Sequence, residues 1–214
     1  MTNIILQNLV PDFLEKEKIE RSGIWNNSIT VSKGEKLQII APSGSGKTSL
    51  IHFLYGLRKD YKGTINFDDK NINSFSAENF AKYRSENISI IFQDMRLFPD
   101  HSAKENIEIK RLLHPFSPVS SIHEMAQQLG IASKLNQFSK TCSYGEQQRI
   151  AIIRALQQPF NFLLMDEPFS HLDETNRHKA FELIESEAAK RNAAIILADL
   201  KPMDYFKADR ILYL

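Results

Sequence analysis

Hydrophobic residues in this chain fall mostly into short unbroken runs. Residues 162–166 (Phe162, Leu163, Leu164, Met165, then Asp166) and 194–198 are continuous apolar stretches, the pattern of parallel strands covered on both faces. Residues 87–93 form a β-branched run carried by Ile88, Ile90 and Ile91, which suits another buried strand. Residues 29–31 and 36–41 read as strands, and 62–69 as a turn with a short antiparallel strand. Helical spacing occupies 48–57, 145–157 and 174–191. Strands alternating with helices predict an α/β fold with a mainly parallel sheet between helical layers, plus an antiparallel β element. From 102 to 140 the pattern turns helical and polar, broken by Pro115 and Pro118. The chain is therefore expected to be one domain, 1–214, with a core formed by 1–93 and 142–214 and a small α-helical subdomain at about 94–141. No internal repeat or low-complexity segment interrupts it.

Composition narrows the classes. A chain of 214 residues with 42% hydrophobic residues can bury a sizeable core. Its 27 basic and 26 acidic side chains leave a net charge of +1, so no global field draws it to nucleic acid or to anionic lipid. A single cysteine, Cys142, forms no internal disulfide and suits a reducing cytoplasm; packing is its expected role. The first residues lack a cationic region, a long apolar run and a cleavage site, so no secretion signal is expected. No apolar run approaches the roughly 20 residues needed to span a bilayer.

The chemistry starts at Ala41-Pro42-Ser43-Gly44-Ser45-Gly46-Lys47-Thr48, followed by Ser49, between an expected strand and an expected helix. Gly44 and Gly46 allow backbone N–H groups to approach phosphates closely, and the helix adds its positive end. Lys47 supplies charge for the β- and γ-phosphates, and Thr48 a hydroxyl for Mg²⁺. The pattern normally opens with glycine; Ala41 is harmless there only at negative φ. Asp166, at the end of an apolar strand, can hold magnesium, and Glu167 can orient or deprotonate an attacking water. Ser143 and Gly145 present a hydroxyl and an N–H at a helix start, both suited to an anion. The six histidines show no metal-ligand spacing.

Taken in order, these motifs resemble those of the ATP-binding-cassette (ABC) ATPases over nearly the whole chain. Ile90-Ile91-Phe92-Gln93-Asp94 is similar to the glutamine loop, Cys142 to Arg149 to the signature, and Ser170-His171-Leu172-Asp173 to the D-loop. Residues 92–100, with Glu105, Asn106 and Ile107, resemble the FtsE-, LolD- and MacB-like branch, which serves cell division and lipoprotein release. The resemblance implies a P-loop NTPase (RecA-like) fold and a head-to-tail pair of cassettes, homodimeric or heterodimeric, closing on two ATP. Thr48, Gln93 and Asp166 would serve Mg²⁺, and Glu167 would position water. Ser143, Tyr144, Gly145 and Glu146 would act on the other subunit's nucleotide, and Asp173 would communicate between sites. An integral membrane permease is the implied partner, placing the chain on the cytoplasmic side of the membrane as a peripheral subunit; nucleic acid is not an implied partner. In this family the region after the glutamine loop borders the groove that receives a permease's coupling helix, so Met95, Leu97 and Phe98 are candidates for either core or contact.

Several positions depart from the family pattern. Cys142 and Tyr144 stand in the signature where leucine and glycine are usual. Ala198-Asp199 replaces a Thr-His pair, so Asp199 takes the place of the switch histidine; an ionised carboxylate there would repel the γ-phosphate and slow hydrolysis. No aromatic residue for adenine occurs between Leu14 and Ile24, and Trp25 is expected in the core, on a strand face shared with Ile29 and Val31. Weak base selectivity would follow from a missing stack. Asp199 also keeps open a second reading, a slow nucleotide-gated clamp that regulates a membrane partner. A DNA-maintenance ATPase would need a long coiled coil between Lys47 and Ser143, and the intervening stretch is too short for one.

Overall fold

The computed structural model describes all 214 residues. Two sheets meet on a shared core. The first is antiparallel: β1 (Asn3–Pro11), β2 (Ser28–Ser32), β4 (Tyr61–Phe67) and β5 (Lys70–Asn71), in the order β2-β1-β4-β5. The second is parallel and ordered β6-β7-β8-β3-β9, from β3 (Lys36–Ile40), β6 (Ile88–Ile91), β7 (Phe162–Asp166), β8 (Ala194–Asp199) and β9 (Arg210–Tyr213). Helices α2 (Lys47–Leu54), α3 (Ala77–Glu86), α6 (Tyr144–Leu156) and α7 (Glu174–Arg191) connect the strands, and α1 (Lys16–Glu20) is a single turn.

The unbroken apolar runs behave as expected of two-sided strands. Leu163, Met165, Ile195 and Leu197 enter one core with α6 and α7, while Phe162, Leu164, Ala194 and Ile196 enter the other with α2 and the antiparallel sheet. The helical region contains α4 (Ala103–Leu113) and α5 (Ser120–Gln128), with Pro115 and Pro118 in the break between them. Its Ile107, Ile122 and Met125 pack into the same core as Ile150 and Ile153 of α6.

Three elements go beyond the sequence expectation. β1 is the centre of the antiparallel sheet, yet its alternation is broken: Ile4 and Leu6 are buried, Asn8 turns to a φ of +49°, and Leu9 is buried next, with a register shift between Gln7 and Val10. α3 buries only Phe80 and so lacks an apolar stripe. β9 is a half-covered edge strand paired with β3. Trp25 is a correction of another kind. It is buried as expected, but it lies in a turn before β2 rather than on the strand.

Candidate functional site

The loop between β3 and α2 is shaped by its glycines. Gly44 and Gly46 take φ values of +78° and +102°, which side chains rarely tolerate, and Ala41 stays at negative φ. Below the loop, Trp25 donates from its indole Nε1 to the Ser45 carbonyl at 3.4 Å. Its ring would meet a Cβ built on Gly46 at 3.0 Å. Trp25 therefore acts as the floor of the loop, a role visible only in three dimensions. Ser45 donates its hydroxyl back to the Pro42 carbonyl at 2.8 Å, closing the turn. The Ser49 hydroxyl is taken by Arg58 Nη1 at 2.8 Å, away from the loop; Ser43 and Gly44 are exposed.

Five predicted residues converge at the carboxyl ends of the parallel strands. Lys47 Nζ donates to the carbonyls of Ala41 (2.9 Å) and Pro42 (3.3 Å) and lies 3.3 Å from Glu167 Oε1. Gln93 Nε2 donates to Glu167 Oε2 at 3.3 Å. Glu167 itself takes a φ of +43°, unusual for a side-chain-bearing residue, with its N–H on the Ala198 carbonyl at 2.9 Å. Thr48, Gln93 and Asp166 line one cleft of about 240 Å³. Asp166 is 1% exposed, and its Oδ1 has no hydrogen-bond partner. Burial pushes its carboxyl up; the Thr48 hydroxyl opposes this and the Glu167 charge adds to it. An orphaned carboxylate oxygen beside a hydroxyl and an amide oxygen is a hard-oxygen donor set that fits Mg²⁺.

Asp199 joins this group from the end of β8. Its backbone carbonyl accepts from Ala41 N at 3.1 Å, and its Oδ1 accepts from Leu200 N at 2.6 Å. Burial raises its carboxyl, and the Glu167 charge raises it further, against the pull of Leu200, Arg177 and Lys47. Asp199 is thus held closer to its protonated form than an exposed aspartate, against the expectation of an ionised carboxylate.

The signature residues stand apart, at the start of α6. Ser143 caps the helix and Glu146 completes the box, accepting from Ser143 N at 2.8 Å while pairing with Lys134 at 3.3 Å. These bonds hold the Glu146 carboxyl low, the Ser143 backbone first among the causes. Tyr144 is exposed, its ring 5.5 Å from that of His171. Gln148 fastens the D-loop to α6: its Oε1 accepts from His171 N at 2.9 Å and its Nε2 reaches Ser170 Oγ at 3.5 Å. Asp173 caps α7, accepting from Asn176 N at 2.8 Å. The side-chain bonds of Ser143, Glu146 and Asp173 thus go to the starts of α6 and α7 and to Lys134, and none goes to Lys47, Gln93 or Glu167.

The family model described as "ABC transporter" matches residues 24–170. The chain belongs to the ABC transporter family. It is 37% identical, over 85% of its length and 81% of the relative's, to the lipoprotein-releasing system ATP-binding protein LolD of Buchnera aphidicola subsp. Schizaphis graminum. It is 31% identical, over 87% of its length and 83% of the relative's, to LolD of Legionella pneumophila strain Lens. In fold it matches the dimeric structure of MJ0796, a bacterial ABC transporter cassette, with a TM-score of 0.85 at 24% identity, covering 99% of this chain and 94% of that one. The expected P-loop α/β fold and the LolD-like branch are both borne out. As an ABC cassette of the transporter type, the chain is an ATP-binding ATPase.

One aromatic residue escaped the sequence argument because it stands just ahead of Leu14. Phe13, in the turn after β1, is 50% exposed, with the Arg58 guanidinium 4.7 Å from its ring centre. Arg58 also holds Ser49, which ties Phe13 to the start of α2. The available signal was an aromatic residue two positions after Pro11, just ahead of the stretch where a stacking ring was sought.

Proposed function

We propose that this ABC cassette binds Mg²⁺–ATP in the loop 41–49, closes head to tail on a second cassette, and uses hydrolysis to drive an integral membrane permease of the lipoprotein-releasing type. The convergence of Lys47, Gln93 and Glu167 beside the orphaned Asp166 oxygen carries the reading. Lys47 and the loop amides hold the phosphates, while Thr48, Asp166 and Gln93 take the metal and Glu167 positions the water. Ser143, Tyr144, Gly145 and Glu146 reach the nucleotide of the other cassette, which accounts for their distance from this one, and Asp173 links the two sites. Residues 1–93 and 142–214 serve as the nucleotide-binding core, with 94–141 as the helical subdomain facing the permease. Phe13 offers the surface on which the base stacks. No helix of the chain is long and apolar enough to cross a membrane, so membrane attachment would come from the permease.

The test is a Glu167→Gln variant with saturating Mg²⁺–ATP, followed by sedimentation and by purification from membranes. A nucleotide-dependent dimer and a stoichiometric integral partner are expected. A strictly monomeric protein, even beside that partner, sinks the proposal. The Asp199 carboxyl beside Glu167 supports a second reading, a slow clamp that regulates a membrane protein instead of powering it. Turnover that stays trivial in the assembled complex would favour that reading.

A further inference from the structure

Two side chains at the start of α6 and on the D-loop are left unused by the rest of the chain. Tyr144 is 69% exposed and His171 is exposed, with their rings 5.5 Å apart and tilted by 34°. Neither the phenol hydroxyl nor the imidazole makes a hydrogen bond within the chain; the His171 bond is that of its backbone N–H to Gln148 Oε1 at 2.9 Å. A Cβ on Gly145 would come within 3.0 Å of the His171 carbonyl, so the D-loop lies directly on the first turn of α6. The rings are therefore presented outward from a backbone fixed at two points. The cations near them are engaged. Lys134 pairs with Glu146 at 3.3 Å, and Arg149 donates to the carbonyls of Gly145 and Leu129 at 3.1 and 3.0 Å and to Asn176 Oδ1 at 3.0 Å. Of the donors left free, the His171 imidazole is the one that can also carry positive charge.

The cluster at the strand ends has the opposite composition. Asp166, Glu167 and Asp199 meet there, while Lys47 is shared among the carbonyls of Ala41 and Pro42 and the Glu167 carboxylate. Arg177 reaches Asp199 by its charge, but its Nη2 bond goes to the Leu172 carbonyl at 3.4 Å. Three carboxyls thus face two cations before a triphosphate adds its own negative charge. Phosphoryl transfer depends on donors aimed at the oxygens where charge develops. The cluster is short of them, and the outward face of α6 has one to spare.

On the head-to-tail reading proposed above, we infer that His171 of one copy donates from its imidazole to the terminal phosphate held by Lys47 of a second copy, with Tyr144 positioning the ring. The acid-rich centre is then incomplete within one chain and gains its missing donor across the seam. Asp199 need not supply that contact, and each copy's D-loop becomes part of the other's reacting centre.

Mixed pairs test this on the complex with the membrane partner, purified through a different tag on each copy so that one cradle is disabled by Lys47→Ala. In one pair His171→Asn sits on the disabled copy and faces the working cradle; in the other it sits on the copy whose cradle works. Single-turnover ATP cleavage should be at least about 10-fold slower in the first pair than in the second, the lower end of what one lost phosphate or oxyanion donor costs. A structural defect confined to the substituted copy would give the reverse order. Equal rates, the reverse order, or failure of the two tags to copurify overturns the inference and leaves ATP-driven pairing standing. If a lone working cradle cleaves nothing, sedimentation of the Glu167→Gln protein with Mg²⁺–ATP decides: adding His171→Asn should weaken pairing at least about 10-fold, and unchanged pairing overturns the inference. A Glu167→Gln protein that stays monomeric beside its membrane partner brings down both readings.

Discussion

The Lys47 ammonium and the Glu167 carboxylate lie 3.3 Å apart, at 5% and 14% exposure. On the proposed function one side chain meets phosphate and the other meets water, and their opposite charges offset each other in a largely buried place.

Replacing Glu167 by Gln removes a base but keeps the bond to Gln93 available. Single-turnover cleavage should fall by roughly 10²–10⁴-fold, the usual range for loss of a positioned acid or base, with nucleotide affinity retained. Lys47→Ala should do the opposite and abolish binding itself. Quenched-flow cleavage and equilibrium titration separate the two, and equal losses in both assays for Glu167→Gln would remove it from the chemical step.

Asp199 sets a pH dependence whose sign is fixed by its raised carboxyl. Since the folded state binds this proton more tightly, the stabilising contribution is fully present below the unfolded value of 3.8 and is lost as pH rises through the folded value. Asp199→Asn should therefore raise the melting temperature at neutral pH and converge with wild type in acid. Hydrolysis follows the same logic: a protonated Asp199 can donate to the γ-phosphate, so the rate ratio of Asp199→Asn to wild type should shrink as pH falls. A ratio that is flat with pH would mean Asp199 does not face the phosphate.

Trp25 serves packing and the phosphate loop at once. Trp25→Ala should cost about 3–5 kcal/mol of stability, as for other fully buried aromatic residues. Trp25→Phe should recover most of that while leaving ATP binding impaired, because the Nε1 bond to the Ser45 carbonyl is gone. Chemical denaturation alongside ATP titration would resolve the two effects.

For Phe13 the expectation is a base-stacking loss. Phe13→Ala should weaken ATP and GTP alike by about 10-fold, within the roughly 1–3 kcal/mol seen for a base on an aromatic side chain. Phe13→Tyr should hold affinity. Unchanged competition curves for Phe13→Ala would move the base elsewhere.

The parallel sheet was legible because β6, β7 and β8 bury both faces and so appear as uninterrupted apolar runs. The same directness placed Asp166 and Glu167 at a strand end and Lys47 and Thr48 at a helix start. β1 escaped because the left-handed Asn8 shifts its buried set by one position, which destroys the period of two that would mark it. α3 and β9 bury too little to leave a periodic trace. At the site, the strand-end residues announced themselves, while Phe13 and Trp25 matter through neighbours distant in the chain: Arg58 for one, Ser45 and Gly46 for the other. Such pairings have no local period to betray them.

The amide of Gln148 spans two backbones, gripping Ser170 and His171 from the flank of α6. A fastening of that kind leaves little slack, so on the proposed head-to-tail pairing a tug at the far copy's triphosphate would be felt at Asp173 almost as a rigid rod feels it. Lengthening the stretch between Glu167 and Asp173 by a single residue should therefore disconnect the pair mechanically while each half still holds its own ligand.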